Sequence, residues 1–164
     1  MTGSDADYSA AGGCTCGKVR FKLTRNPLFV HACHCSLCQR QSGTAFALNG
    51  LIEARHVTHE CGELEDVTMP TGSGSGQIVS RCPTCRIAVW SVYNRMGDTF
   101  RFIRVGALDE PDTCPPDIHI FTSSKQSWLK LPDDVVAVPE FYDATQYWPA
   151  ASLERRKAAI SGST

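Results

Sequence analysis

Five potential metal ligands fall within the eight residues HACHCSLC, residues 31–38. Cysteine and histidine side chains bind metals, and cysteines also form disulfides or act as nucleophiles. Cys33, Cys35 and Cys38 have the spacing C-x-C-x-x-C. Three protein ligands with one open position are typical of a catalytic zinc site. Because zinc deprotonates a thiol that it binds, the motif predicts thiol chemistry.

The two histidines leave an alternative open, which is a closed second zinc site. His31 has the strand parity of Cys33 and Cys35 and is the better fourth ligand. His34 lies between two ligand cysteines on an extended segment, so it should point the opposite way. A histidine on a core strand is more often packed and hydrogen-bonded than metal-bound, and we set both aside. Cys35 and Cys38 could also be a redox pair, although the βαβ context of that chemistry is missing.

Two further cysteine pairs lie far apart in the chain. Cys14 and Cys16 form C-x-C, and Cys82 and Cys85 form C-x-x-C in the segment CPTC. Two close pairs brought together by the fold are typical of a structural zinc site, and they would staple distant strands together. We therefore predict a closed structural zinc here; the alternative is four unrelated buried cysteines. Arg86 stands where such turns often place glycine in a left-handed conformation.

The composition is that of an ordinary globular protein. The 164 residues are 42% hydrophobic and 20% charged, with a net charge of −1, which argues against nucleic acid and anionic membranes as partners. No apolar run reaches the roughly 20 residues of a membrane span, and the N-terminus lacks the pattern of a secretory signal, so we expect a cytoplasmic protein. In a reducing compartment the nine cysteines favour metal binding or thiol chemistry over disulfides. We assign no function to Cys61 and Cys114.

The elements that must position these cysteines are mostly short strands. KVRFKL (18–23) alternates, with Val19, Phe21 and Leu23 on one face. PLFVHACHC is a strand that leads into the three cysteines, SLCQRQSG a short helical turn ended by Gly43, and QIVSRCPTCRIAVWSVY a strand, a knuckle and a strand. TAFALNGLI predicts a strand with a turn at Asn49-Gly50.

The remaining segments complete a prediction of one mostly β domain over 1–164. Residues 1–12 are predicted to be a loose tail and 70–77 a Pro/Gly/Ser loop. SLERRKAAI (152–160) is the one good helix candidate, with Ser152 as its N-cap and with ERRK (154–157) solvated.

Several segments, in this order, resemble the glutathione-dependent formaldehyde-activating enzyme family, which includes centromere protein V. The similar segments are GGCTCGKVRF (12–21), CHCSLCQRQSGTAF (33–46), RCPTC (81–85), FIRVGALDEP (102–111) and HIFTSSKQSWLKLPDDV (119–135). The resemblance covers about residues 12–142, which leaves 143–164 as a C-terminal extension.

This resemblance implies a fold, two metal sites and a reaction. The fold is the mostly β zinc-binding β-tent, shared with a Rab-exchange-factor-like superfamily. The ligands are Cys14, Cys16, Cys82 and Cys85 for a structural zinc, and Cys33, Cys35 and Cys38 for a second, open zinc where the glutathione thiol enters. The activity is that of a carbon–sulfur lyase that joins glutathione, or a similar thiol, to formaldehyde or a related small carbonyl compound. The alternative is a zinc-stabilised binding module without catalysis.

Residues around the open site are expected to assist the reaction or the binding of its substrates. His34, His119 and Lys125 are candidates for proton transfer or for contacts with the carboxylates of glutathione. Trp128 could wall the pocket, Arg40 could offset the negative charge of the thiolates, and the loop 70–77 could cover the site.

Overall fold

Short strands dominate the structure, a computed structural model that describes residues 8–162. Within these residues the strands are β1 (Ala10–Gly13), β2 (Arg20–Leu23), β3 (Phe29–Cys33), β4 (Ala47–Glu53), β5 (Val57–Cys61), β6 (Glu65–Met69), β7 (Gln77–Arg81), β8 (Ala88–Tyr93), β9 (Phe100–Arg104) and β10 (Ile118–Ile120). The helices are α1 (Ser36–Ser42), α2 (Ala144–Tyr147) and α3 (Ala150–Ser161), joined by short 3₁₀ turns. The prediction of a mostly β fold with a C-terminal helix is confirmed.

The strands form two sheets. The larger has the order β10-β3-β4-β9-β8-β7-β6, and the smaller has the order β1-β2-β5. Neighbouring strands are antiparallel except β10 and β3, which run parallel. This order brings β3, which leads into the three cysteines, beside β4 and close to β9. It places the CPTC turn between β7 and β8. No helix of the described residues is long and apolar enough to cross a membrane.

The core has two parts, one on each face of the larger sheet. All five residues of β3 are buried because both of its faces are covered. Val30 belongs to the part that includes the small sheet, where Phe21 meets Trp90 edge-on at 5.6 Å between ring centroids. Phe29 faces the other way and stacks on Trp148 at 5.2 Å, beside α3. As the alternation in KVRFKL predicts, the inward side chains of β2 are fully buried.

The predicted turn at Asn49-Gly50 is wrong, because both residues lie inside β4 and pair with β9. Asn49 is opposite Arg104, and Gly50 is opposite Ile103. The buried Asn49 side chain accepts a hydrogen bond from the Arg104 guanidinium. A Cβ on Gly50 would lie 3.2 Å from a ring carbon of Pro27, so the glycine serves close packing here.

Both chain ends also depart from the sequence prediction. The tail was predicted over 1–12, of which 1–7 lie outside the described residues, but Ala10–Gly13 pairs with β2. The last helix begins at Ala150, with Pro149 rather than Ser152 at the N-cap position. The predicted solvation of ERRK is also wrong in part, because Arg155 forms an ion pair with Glu53 on β4.

Candidate metal centres

Four cysteine sulfurs converge where β1, β2 and the turn between β7 and β8 meet. The Sγ atoms of Cys14, Cys16, Cys82 and Cys85, the four-cysteine cluster, all lie within 4.8 Å of one another. The Cys14–Cys16 and Cys16–Cys82 sulfurs are 3.4 and 3.7 Å apart. Four thiolates arranged tetrahedrally about 2.3 Å from a zinc ion would lie about 3.8 Å apart. The cluster therefore fits a closed tetrahedral metal site.

Two similar turns hold these four sulfurs. In each turn the residue after the second cysteine is left-handed: Gly17 has φ 76° and Arg86 has φ 65°. The Gly17 amide donates to the Cys14 carbonyl at 3.0 Å, and the Arg86 amide donates to the Cys82 carbonyl at 2.9 Å. The left-handed bend expected at Arg86 is therefore present, although a side chain makes this conformation unfavourable.

The other three cysteines meet at the start of α1. Cys33 ends β3, Cys35 is the N-cap of α1, and Cys38 lies in its first turn. Their sulfurs, the three-cysteine cluster, lie within 4.8 Å of one another. The Cys38 amide donates to the Cys35 sulfur at 3.4 Å, and Gly43 ends the helix in a left-handed conformation, as predicted. In residues 8–162 no fourth His, Cys, Asp or Glu joins this group.

The thiols of the three-cysteine cluster have unequal pKa values. Hydrogen bonds from Cys33 and then from Cys38 hold the pKa of the Cys35 thiol far below its usual range. The hydrogen bond with Cys33 also lowers the pKa of Cys38, and the charge of Arg104 adds to this. The hydrogen bond with Cys35 and burial outweigh both, so the pKa of Cys38 rises to about 11. Three thiolates this close repel one another, so a bound cation is needed to hold all three in the charged form.

Neither histidine of the HACHCSLC segment joins the sulfurs. His31 lies 2.7 Å from the Tyr142 hydroxyl, and burial lowers its pKa to about 4. His34 is fully buried, with its Nε2 2.9 Å from Nδ1 of His119. Burial, followed by the charges of His119 and Lys125, lowers the pKa of His34 to about 4. The two facing rings are therefore neutral at neutral pH, with one nitrogen donating and the other accepting.

The other residues predicted to act at the open site differ in how close they lie to it. Lys125 lies near enough to affect His34, but its ammonium donates to the carbonyls of Gln126 and Leu129, at 3.2 and 2.6 Å. Arg40 is exposed on α1, and Trp128 is 67% exposed. The loop 70–77 bonds to itself and to Asn94, and its covering role stays a prediction. Cys61 and Cys114 join neither cluster.

Three residues near the cluster were missed by sequence reasoning. Arg104, at the end of β9, supplies the cation that Arg40 was expected to supply. Burial raises the pKa of Tyr93, and the nearby charge of Cys38 raises it further, so Tyr93 lies close to the cluster. Gln39 donates to the carbonyls of His34 and Ser124, at 2.7 and 2.9 Å, and so ties α1 to the chain after β10. No local pattern marks these residues: Arg104 and Tyr93 reach the cluster through strand pairing, and Gln39, although it follows Cys38, bonds to a loop distant in sequence.

The comparisons with known proteins assign the chain to a family. Residues 9–124 match the sequence model of the family described as "Glutathione-dependent formaldehyde-activating enzyme". This match spans all seven clustered cysteines and stops before α2 and α3. No curated protein matches. Among solved structures, a Rhodobacter sphaeroides protein is 19% identical with a TM-score of 0.44, over 60% of this chain and 87% of that chain.

Proposed function

This chain belongs to the glutathione-dependent formaldehyde-activating enzyme family, and we propose that it is a zinc-dependent carbon–sulfur lyase. Its substrates are glutathione, or a similar thiol, and formaldehyde or a related small carbonyl compound. The observation that carries the proposal is the three-cysteine cluster, which lies inside the family match and has three ligands where a closed site has four.

The donor set of this cluster suits an open zinc site. Three sulfur ligands from a strand end and a helix start would bind zinc tightly and leave one position for a substrate. When bound, zinc supplies thiol activation, because a coordinated thiol is deprotonated at neutral pH. Cys33 and Cys38 are buried while Cys35 is partly exposed, so we expect the substrate to approach past Cys35.

The reaction itself is an addition without oxidation. The substrate thiol loses its proton, its sulfur forms a bond to the carbonyl carbon, and the C=O π electrons move to oxygen, which takes up a proton. The chain's own residues hold the charges: three cysteinates carry one negative charge more than a divalent cation neutralises, and Arg104 lies close enough to offset it. The neutral pair of His34 and His119 stays a candidate for proton transfer.

The four-cysteine cluster has a different role in this proposal. Its four ligands complete a tetrahedron, so a zinc ion there would have no open position and would stabilise the fold. Because Cys14 and Cys82 belong to the core between the two sheets, the metal would join the small sheet to the turn between β7 and β8.

The test combines metal analysis with adduct formation. We expect two zinc ions per chain and exchange of ¹³C-formaldehyde with S-hydroxymethylglutathione, followed by NMR, faster than the uncatalysed rate. Cys38→Ser should abolish the acceleration. A protein that carries both zinc ions but does not accelerate the exchange would instead be a zinc-stabilised binding module.

A further inference from the structure

A pocket of about 540 Å³ lies between α1, the strands β4, β7 and β9, and the start of β8. Its wall combines apolar side chains such as Phe46 and Val79 with Gln41 and three arginines, Arg81, Arg86 and Arg104. No aspartate or glutamate of the described residues lines it. The volume is in the range of small-ligand sites, and the charged lining residues all carry the same sign.

Two of these side chains leave buried donors without a partner. Gln41 Nε2 and Arg81 Nε are buried and have no hydrogen-bond acceptor in residues 8–162. Buried donors are almost always satisfied in native structures, because an unpaired one pays its full desolvation cost. Both donors are closed to a water-sized molecule in the free protein, so an acceptor in the pocket would pair with them only after the Gln41 and Arg81 side chains turn toward it.

The arginine charges in the pocket are only partly neutralised. Arg86 forms an ion pair with Glu65, which is opposite Arg81 in the register of β6 and β7. Arg104 donates to the side-chain oxygens of Asn49 and Gln41, which are both neutral. In the part of the chain that the structure describes, neither Arg81 nor Arg104 forms an ion pair, so the pocket retains two positive charges.

The pocket adjoins the three-cysteine cluster. Gln41 lies one helical turn after Cys38 on α1, and residues three apart share a helix face. Ala47, which lines the pocket, is the register partner of Cys33. Arg104 lines the pocket and donates to Oε1 of Gln41 at 3.4 Å. A molecule with its sulfur at the cluster could therefore extend an acidic group into the pocket.

We propose that this pocket binds a carboxylate of the thiol substrate, with Gln41, Arg81 and Arg104 as specificity-determining residues. A carboxylate supplies acceptors to which the Gln41 and Arg81 side chains can turn, and guanidinium groups bind carboxylates with matched pairs of hydrogen bonds. The inference rests on the proposed function and narrows its substrate class to thiols that carry an acid. Neutral thiols would reach the metal without this anchor.

The test separates the carboxylate from the thiol. S-methylglutathione keeps both carboxylates but has no free thiol, and its affinity for the zinc-loaded protein is measured by calorimetry. We expect Arg81→Gln and, independently, Gln41→Leu to weaken it roughly tenfold or more, the size of one lost charged hydrogen bond. Arg101→Gln removes the same charge from β9 outside the pocket and should leave the affinity unchanged. Thermal melting checks that each variant is folded.

Two further measurements test whether the carboxylate is the group that is bound and whether thiols bind at the metal site. The dimethyl ester of S-methylglutathione should bind more weakly than the acid, and inorganic phosphate should not compete at equal concentration. In cobalt-substituted protein, 2-mercaptoethanol should change the thiolate absorption equally in wild type and Arg81→Gln. Equal S-methylglutathione affinity in wild type and both folded pocket variants, or competition by phosphate, would overturn the pocket proposal alone. Intact S-methylglutathione binding with no thiol signal at cobalt would overturn the proposed function alone.

Discussion

Arg155 on α3 donates two hydrogen bonds to the carboxylate of Glu53 at the end of β4, at 3.1 and 2.7 Å. The Glu53 side chain is 1% exposed and that of Arg155 is 11% exposed. Burial alone would raise the pKa of Glu53, but the hydrogen bond and charge of Arg155 lower it below its ordinary value. The ion pair joins the C-terminal helix, beyond the family match, to the sheet that carries the three-cysteine cluster.

Arg155→Met should destabilise the protein by about 3–5 kcal/mol, because it leaves the Glu53 carboxylate buried without a partner. Urea unfolding at neutral pH measures the loss. Adding Glu53→Gln should recover part of it, since a neutral amide costs less to bury than a charge. A loss below about 1 kcal/mol, typical of an exposed pair, would contradict the buried pairing.

The same pair predicts a pH dependence. Because the pKa of Glu53 is lower in the folded protein than its unfolded value near 4.3, its stabilisation is fully present above that value. It is lost as the pH falls through the folded pKa. The difference in unfolding free energy between wild type and Glu53→Gln should be constant from about pH 7 to 5 and shrink below pH 4. If this free-energy difference instead grew on acidification, the pKa of Glu53 would be raised rather than lowered in the folded protein, and the ion-pair explanation would be excluded.

Gln39→Leu should loosen the three-cysteine cluster, because it removes the hydrogen bonds to the carbonyls of His34 and Ser124. We expect a loss of about 1–3 kcal/mol in stability and faster removal of the metal at this cluster by a chelator. Gln146→Leu on the exposed surface of α2 is the matched control and should change neither quantity. Equal chelation rates in both variants would argue against a positioning role for Gln39.

The two cysteine clusters should respond differently to single substitutions. Cys38→Ser should remove one zinc ion per chain and leave the fold cooperative, since Cys38 lies on the short helix α1 rather than on a strand of the sheet. Cys82→Ser should impair folding itself, because Cys82 is fully buried in the core between the sheets. Metal content by mass spectrometry and melting by circular dichroism measure both effects. Global unfolding of Cys38→Ser would assign a structural role to the second cluster.

The left-handed conformation of Arg86 makes this position sensitive to side-chain shape. Arg86→Gly should be tolerated, since glycine adopts φ 65° freely and only an exposed ion pair with Glu65 is lost. Arg86→Val should cost about 1–2 kcal/mol more than Arg86→Gly, because a β-branched residue is an outlier there. Denaturant midpoints of the two variants give this difference, and equal midpoints would contradict it.

The cysteine grouping was accessible from sequence because it depends on local spacing. The pairs Cys14/Cys16 and Cys82/Cys85 are each held by one turn. Their spacing therefore predicts a metal-binding turn without any knowledge of the surrounding fold. Alternation in KVRFKL likewise reports a half-buried strand. The turn predicted at Asn49-Gly50 failed for the converse reason: the dipeptide favours a turn locally, but pairing with β9 keeps it in a strand.

Sequence patterns therefore predict the mostly β class and the two sets of clustered cysteines, and they mark Arg86 as a turn position that usually holds glycine. Contacts between distant segments place Arg104, rather than Arg40, beside the three-cysteine cluster, and they bring Gln41 and Arg81, which carry unpaired buried donors, into the lining of one pocket. The two kinds of feature differ in their range along the sequence. A ligand spacing or a turn spans a few residues, whereas this pocket depends on the strand order β4-β9-β8-β7, which sums many weak pairings along the whole chain.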